Sequence, residues 1–285
     1  MVKTLFLAFL LTLTLHAAED QNSTIELTQK ERLDQKIASF IGEEHFSENQ
    51  NYINIIFKGE KRFFKNDKLR VVDVIEVLED NGLLKLMFEV PTRYEMTFRS
   101  TGEPLFFVKL MGDSLRDMGY YRYVIKESSQ DATGFSWTIS LEAEYMTDPV
   151  LLQKELQKRG CNIIDIVHEE KLAWSYEIDT SKAFLNVETL KNGEKRRYTR
   201  VNYAKWLDVA KIKSLYIKSH RANEWYPYIA LYDSSLRLLK VIKQDKFTES
   251  LDITLPLEAR YARISDLYTV TNIKNGLDIK AYGKR

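Results

Sequence analysis

The stretch richest in groups that could do chemistry is Ser219-His220-Arg221-Ala222-Asn223-Glu224-Trp225-Tyr226-Pro227-Tyr228. Aromatic rings beside short polar groups suit a sugar or a peptide, because rings stack while hydroxyls, amides and charged heads hydrogen-bond. Trp225, Tyr226 and Tyr228 are therefore the candidate ligand-binding rings, with His220 and Arg221 as polar neighbours. The competing expectation is that Trp225 and Tyr228 fill or close a core. Elsewhere the chain is poor in reactive patterns. Removing a signal peptide leaves His45, His168 and His220, none with a partner at metal-ligand spacing, and Cys161 alone cannot complete a thiolate site. His168, beside Glu169 and Glu170, reads as part of a solvated hairpin turn. No Gly-x-Ser-x-Gly elbow, phosphate-cradling glycine loop or His-Glu-x-x-His occurs. Asp233 and Asp266 are a carboxylate pair that the fold would have to bring together. No catalytic, metal or cofactor site is expected.

A second chemical feature lies at the N-terminus. Lys3, the 11 residues from Leu5 to Leu15, and His16-Ala17-Ala18 make the charged, apolar and small-residue parts of an export signal over residues 1–18. The apolar run is too short to span a bilayer, and no later run reaches the necessary length. The expected product is soluble in the periplasm or secreted, with no integral membrane segment after cleavage. Residues 19–26 follow as a flexible tail containing Asp20-Gln21-Asn22-Ser23-Thr24. This pentapeptide resembles the extended acceptor of the bacterial N-glycosylation system of campylobacters, which implies modification at Asn22. Asn22→Gln is expected to abolish a mass shift on export and leave the thermal midpoint almost unchanged, as mass spectrometry and calorimetry would read.

Composition sets further bounds. Of 285 residues, 44% are hydrophobic and 12% aromatic, enough for sizeable cores. The chain carries 42 basic and 41 acidic side chains, and losing Lys3 leaves 41 of each, a balance that argues against nucleic acid as a partner. One cysteine permits no internal disulfide, so packing must supply stability, and Cys161 in a strand-like run reads as a buried inert thiol.

The elements that position these residues divide into two regions. Residues 27–44 read as a helix ending near Gly42, whereas Tyr52–Phe57 fits either helix or strand. From residue 70 three helices each end in Leu-x-x-x-Gly, at Leu78/Gly82, Leu115/Gly119 and Leu156/Gly160. Each is followed by two strands: Leu83–Phe88 and Tyr94–Phe98, Tyr120–Ile125 and Phe135–Leu141, Cys161–Val167 and Leu172–Ile178. Pro104 and Pro149 mark two helix starts, with Thr147 or Asp148 as a cap. Leu105, Val108, Met111 and Leu115 form the expected apolar stripe of the second helix. The charged run Lys191–Arg197 reads as a solvated boundary loop. Beyond it, Trp206–Val209, Ser214–Ser219, Tyr226–Tyr232, Leu236–Ile242, Leu251–Leu255, Tyr261–Ile264 and Leu277–Ala281 read as short strands separated by turns. The expected fold is α+β, with helix-strand-strand repeats over 27–180 and an all-β sandwich over 184–285.

Three resemblances add to this reading. Phe98, Pro104-Leu105, Leu115 and Gly119-Tyr120 make residues 94–125 similar to the ring-building modules in the N-terminal parts of secretins, although the secretin pore segment has no counterpart here. Trp225 to Asp233, Leu238-Leu239-Lys240-Val241 and Ala259 to Ile264 make residues 225–264 resemble the accessory β-sandwich domain of secreted peptidases, without a peptidase domain ahead of it. The whole chain resembles secreted or periplasmic proteins of campylobacters and their relatives, a group that implies no particular activity. Together these expectations point to a non-enzymatic structural or adaptor protein of a cell-envelope assembly, with envelope proteins as partners. The alternatives are a carbohydrate- or peptide-binding module using Trp225, Tyr226 and Tyr228, and more remotely a hydrolase of unrecognised type.

Overall fold

The computed structural model describes residues 27–170 and 172–283. The expected signal peptide, the expected tail and Asn22 lie outside the described residues. Among the described residues, six α-helices and sixteen strands make a mixed α/β fold that is mostly β.

Helix α1 (Gln29–Ile41) starts at Thr28, whose side chain accepts from the Glu31 amide while the Glu31 carboxylate accepts from the Thr28 amide. Gly42 ends it. Short helices α2 (Glu43–Glu48) and α3 (Gln50–Ile56) follow, so Tyr52–Phe57 is helical. After the small hairpin β1 (Phe64–Lys65) and β2 (Lys68–Leu69) come α4 (Val71–Asp80), β3 (Met87–Ser100), α5 (Pro104–Asp117), β4 (Val124–Asp131), β5 (Gly134–Tyr145), α6 (Pro149–Gln157), β6 (Asn162–Glu170) and β7 (Ala173–Asp179). Helices α4, α5 and α6 end alike. The amides of Leu83, Tyr120 and Cys161 bond the carbonyls of Leu78, Leu115 and Leu156, and each preceding glycine amide bonds a residue one turn back. These are Schellman caps, and all three leucines are fully buried. Asp148, not Thr147, caps α6, accepting from the amides of Val150 and Leu151.

Strands β3 to β7 form one sheet in the order β4-β5-β3-β7-β6. One face carries Tyr94, Met96, Phe98, Trp137, Ile139, Trp174 and Tyr176 into a core shared with the buried sides of α1, α4, α5 and α6. The other face is polar: Thr97 and Thr138 hydroxyls meet at 2.9 Å, and Arg99 reaches Glu169 at 3.2 Å. This is the half-covered sheet that alternation at Trp137–Leu141 predicts.

Four expectations need correction in this region. Leu83–Phe88 and Tyr94–Phe98 are not a hairpin; Met87–Ser100 is one 14-residue strand whose pairing shifts between Met87 and Thr92. Pro91 lies in that shift, where a residue without an amide hydrogen interrupts the ladder without turning the chain. The strand expected from Tyr120 begins only at Val124, because the cap of α5 occupies the preceding residues. Leu105 is 65% exposed, and α5 instead buries Phe106, Phe107, Leu110, Met111 and Leu115, so the larger phenyl rings set the face that packs. His168 lies within β6, with its ring 5.1 Å from that of Trp174, and not in a turn. Cys161 is buried, and burial pushes its thiol up to about 12, as expected of an inert side chain.

The C-terminal region holds β8 (Glu188–Thr189), β9 (Lys195–Tyr198), β10 (Lys205–Asp208), β11 (Ile212–Ser219), β12 (Pro227–Tyr232), β13 (Leu238–Lys243), β14 (Ser250–Thr254), β15 (Tyr261–Asp266) and β16 (Leu277–Gly283). A five-stranded sheet β13-β12-β15-β10-β8 faces a four-stranded sheet β14-β11-β16-β9 across one core that includes Leu207, Leu215, Ile217, Ile229, Ile264 and Ile279. The seven strand runs read from the sequence all lie here. The run Lys191–Arg197 is no boundary loop: it enters β9, a strand laddered to β16. The outer face of the five-stranded sheet packs on the α/β region. Trp206 stacks on Tyr232 at 5.2 Å, the Lys109 ammonium sits 5.4 Å above the Trp206 ring, and the Leu185 amide donates to the Tyr261 hydroxyl at 3.0 Å.

Candidate functional site

The segment from Ser219 to Pro227 joins β11 to β12 at one end of the two sheets, beside the Ile273–Leu277 turn. The sequence folds tightly here because short polar side chains replace missing ladder bonds. Asn223 is buried, and its amide donates to the Ser219 hydroxyl at 3.0 Å and the Gly276 carbonyl at 2.7 Å while its oxygen accepts from the Asn275 amide. Asn275 in turn donates to the Ala222 carbonyl at 2.8 Å. Asp266, at the end of β15, accepts from the amides of Tyr226, Tyr268 and Thr269 and from the Asn272 side chain. The corner is held from both sides, not free to mould itself around a ligand.

The three candidate rings do not share a surface. Trp225 is 0% exposed, lies in the core between the sheets and donates its indole hydrogen to the Ser265 carbonyl at 3.0 Å. Its assignment as a ligand ring is corrected: a buried indole with its donor satisfied is a packing residue. Tyr226 is half-buried at the corner, edge-on to Tyr268 at 5.1 Å. Tyr228 alternates away from the core residue Ile229 and so belongs to the outer face of the five-stranded sheet. No platform unites them.

The polar candidates separate as well. His220 Nδ1 is 2.9 Å from the Asn275 carbonyl and Nε2 is 3.2 Å from Asp278. Asp278 also accepts a two-pronged contact from Arg197, at 2.9 and 3.3 Å. That guanidinium, followed by His220, holds the Asp278 carboxyl down at about 2. The cluster therefore ties β9, β16 and the β11–β12 connection together. Arg221 is exposed at the tip. Asp233 follows the far end of β12 and Asp266 pairs with its first residue, which puts them about 20 Å apart at ~3.4 Å per residue. They cannot act as a catalytic pair. Among the described residues, no group of three or more His, Cys, Asp and Glu side chains is placed to hold a metal ion.

A different feature is more exposed to partners. Every residue of β4 is exposed, and β4 is bonded only to β5 at the edge of its sheet. Val124 and Ile125 present 64% and 56% of their surfaces to solvent. A pairing irregularity falls at Lys126, after which Glu127 to Asp131 runs regularly. The sequence signal for this edge was the absence of alternation: Lys126-Glu127-Ser128-Ser129-Gln130-Asp131 has no apolar side to bury.

Comparison with known proteins adds little to this geometry. No protein-family model matches the chain. No curated protein matches it either. A solved structure of infectious bursal disease virus, Gx strain, aligns with 70% of this chain and 50% of that one, at 7% identity and a TM-score of 0.11. The chain thus spans about half the length of the viral protein, and so low a score carries no argument about fold.

Proposed function

We propose that the chain is an exported, non-enzymatic adaptor of a cell-envelope assembly, which engages a neighbouring subunit by adding that subunit's strand to β4. The observation that carries this reading is the uncovered eight-residue edge. An edge strand offers a row of unpaired amides and carbonyls, and main-chain bonds to an added strand supply affinity without a deep pocket. Exposed Val124 and Ile125 offer apolar anchors at its start, while Lys126, Glu127 and Asp131 would select against indiscriminate pairing. Two helix–hairpin units, α5–β4–β5 and α6–β6–β7, flank β3, which supports reading the α/β region as repeats of one module. The export pattern of Lys3, Leu5–Leu15 and Ala17-Ala18 supports the compartment. Among the described residues, no helix is long and apolar enough to cross a membrane.

The test is proline at Ser128 and at Ser129, one at a time. In an antiparallel edge strand adjacent amides point in opposite directions, one into the sheet and one out. The inward position is expected to lose stability, by about 3 kcal/mol or less at an edge. The outward position is expected to keep its thermal midpoint and lose assembly, measured by light scattering and by cross-linking in envelope extract. A parent protein that is strictly monomeric and captures no envelope partner would overturn the reading.

A further inference from the structure

A separate cleft lies where the end of α4, the start of α6, the residues after α5 and the β3–β5 end meet. It encloses about 800 Å³, within the range of small-molecule sites. Its apolar wall includes Leu86, Met118, Tyr145, Met146 and Leu151, and its polar end holds Glu79, Asp148 and Tyr120. The backbone forms it by necessity. Met146 donates its amide to the Leu86 carbonyl at 2.8 Å, closing the strand pair, and Asp148 must then cap α6 two residues later.

Three observations say what this cleft lacks. Glu79 makes no ion pair among the described residues, and the charges that act on it most, from Asp148, Asp80 and Glu76, are all negative. Asp148 is fixed by one oxygen, which accepts from Val150 at 2.7 Å and Leu151 at 3.2 Å, leaving the other without a donor within the described chain. Tyr176 is 0% exposed and its hydroxyl has no partner, although Tyr94, Tyr120, Asp148 and Glu79 are all near enough to act on it. A buried hydroxyl without a partner is costly, and three groups of the cleft wall, Tyr120, Asp148 and Glu79, act on this one. Lys154 and Lys158 also line the cleft, on α6, but neither is among the charges that act most on Glu79, so two carboxyls and a phenol still form half of an ammonium site. Tyrosine rings and methionine sulfurs supply the polarizable wall that an organic cation prefers to an inorganic one.

We propose that this cleft binds an organic ammonium ligand, its cation seated between Glu79 and Asp148 over the Tyr176 hydroxyl and its apolar body against Met118, Met146 and Tyr145. Burial, and then Asp148, push the Glu79 carboxyl up to about 7, so that it is partly protonated at neutral pH. A bound cation releases that proton. The other ionisable groups around Glu79 are Asp80 and Glu76 on its own helix, Tyr94 on β3, Tyr120 after α5, Tyr145 on β5, Tyr176 on β7, and Asp148, Lys154, Glu155 and Lys158 at and on α6. Lys158 is already paired with Glu155.

The probe is phenethylamine, with 3-phenylpropionate as the oppositely charged control, titrated calorimetrically into the purified full chain and mapped by amide chemical shifts. Saturable binding of the amine is expected, with shifts centred on Glu79, Tyr120 and Met146, and with the acid at least tenfold weaker. Affinity should fall about tenfold from pH 8 to pH 6, as the ionised fraction of a carboxyl near 7 falls. Glu79→Gln should weaken binding at least tenfold at pH 8 and flatten the pH dependence. Tyr176→Phe, which keeps the ring, should weaken it about threefold. Equal binding of amine and acid, shifts centred elsewhere, no saturable binding at millimolar amine, or an unchanged affinity in Glu79→Gln would each overturn the assignment.

Discussion

Trp225→Ala is expected to destabilise the protein by about 3–5 kcal/mol, the usual cost of deleting a fully buried large ring. The indole has no exposed surface and fills the space between the two C-terminal sheets among Leu207, Ile217, Ile229 and Ile264. Its removal opens a cavity that paired strands cannot readily collapse into, because β11, β12, β15 and β16 are each fixed by ladders on both sides. It also removes the hydrogen bond that the indole donates to the Ser265 carbonyl at 3.0 Å. For a chain of this size the thermal midpoint should fall by on the order of 10 °C. Trp225→Phe separates the two contributions, retaining most of the apolar volume while losing the hydrogen bond, and should cost about 1–3 kcal/mol. Tyr228→Ala, on the outer face of the sheet, is expected to cost less than Trp225→Ala. Urea unfolding of the three variants decides the matter. A Trp225→Ala protein as stable as its parent would mean that the ring is available to a ligand after all.

That expectation shows where sequence reading reaches its limit. The seven strand runs of the C-terminal region were legible because alternation and turn residues are local signals, each written within a few positions. The Leu-x-x-x-Gly endings were legible for the same reason: one glycine at the end of a helix fixes the direction of exit. By contrast, an aromatic and polar cluster has the same composition whether its tryptophan points into a core or out of a loop. Only the pairing of Pro227 with Asp266 decides which side Trp225 takes. Strand β9 was hidden because Lys195-Arg196-Arg197 has no apolar side, and its place is set by β16 and by the Arg197–Asp278 contact. Glu79 was hidden more deeply. It sits near the end of an amphipathic helix like any solvated carboxylate, and nothing nearby in sequence announces that the α6 cap and two buried phenols will close around it. Long-range juxtaposition creates that site, and short-range pattern does not carry it.

The three helix caps make a sharper experiment, because they share one local design in three surroundings. Gly82, Gly119 and Gly160 have φ of 72°, 95° and 73°, in the left-handed region where a side chain is strained. Alanine at any of them should cost about 1–2 kcal/mol from backbone strain alone. At Gly82 and Gly119 nothing else opposes it, since no atom lies within 4 Å of where the methyl group would go. At Gly160 that position is 2.2 Å from the Lys182 carbonyl oxygen and 3.1 Å from the Phe184 ring. The segment that leads into the β-rich region crosses directly over this cap, held by the Phe184 amide donating to the Arg159 carbonyl at 3.0 Å. A methyl group must lift the segment, and lifting it strains the next contact, the Leu185 amide on the Tyr261 hydroxyl. Gly160→Ala is therefore expected to cost about 2–5 kcal/mol, the strain plus an overpacking penalty of about 1–3 kcal/mol. The difference between Gly160→Ala and the mean of the other two measures how tightly the α/β region is joined to the sheets behind it. If all three alanine variants unfold at the same urea concentration, the crossing segment is not seated on the cap, and the two regions are coupled by some other contact.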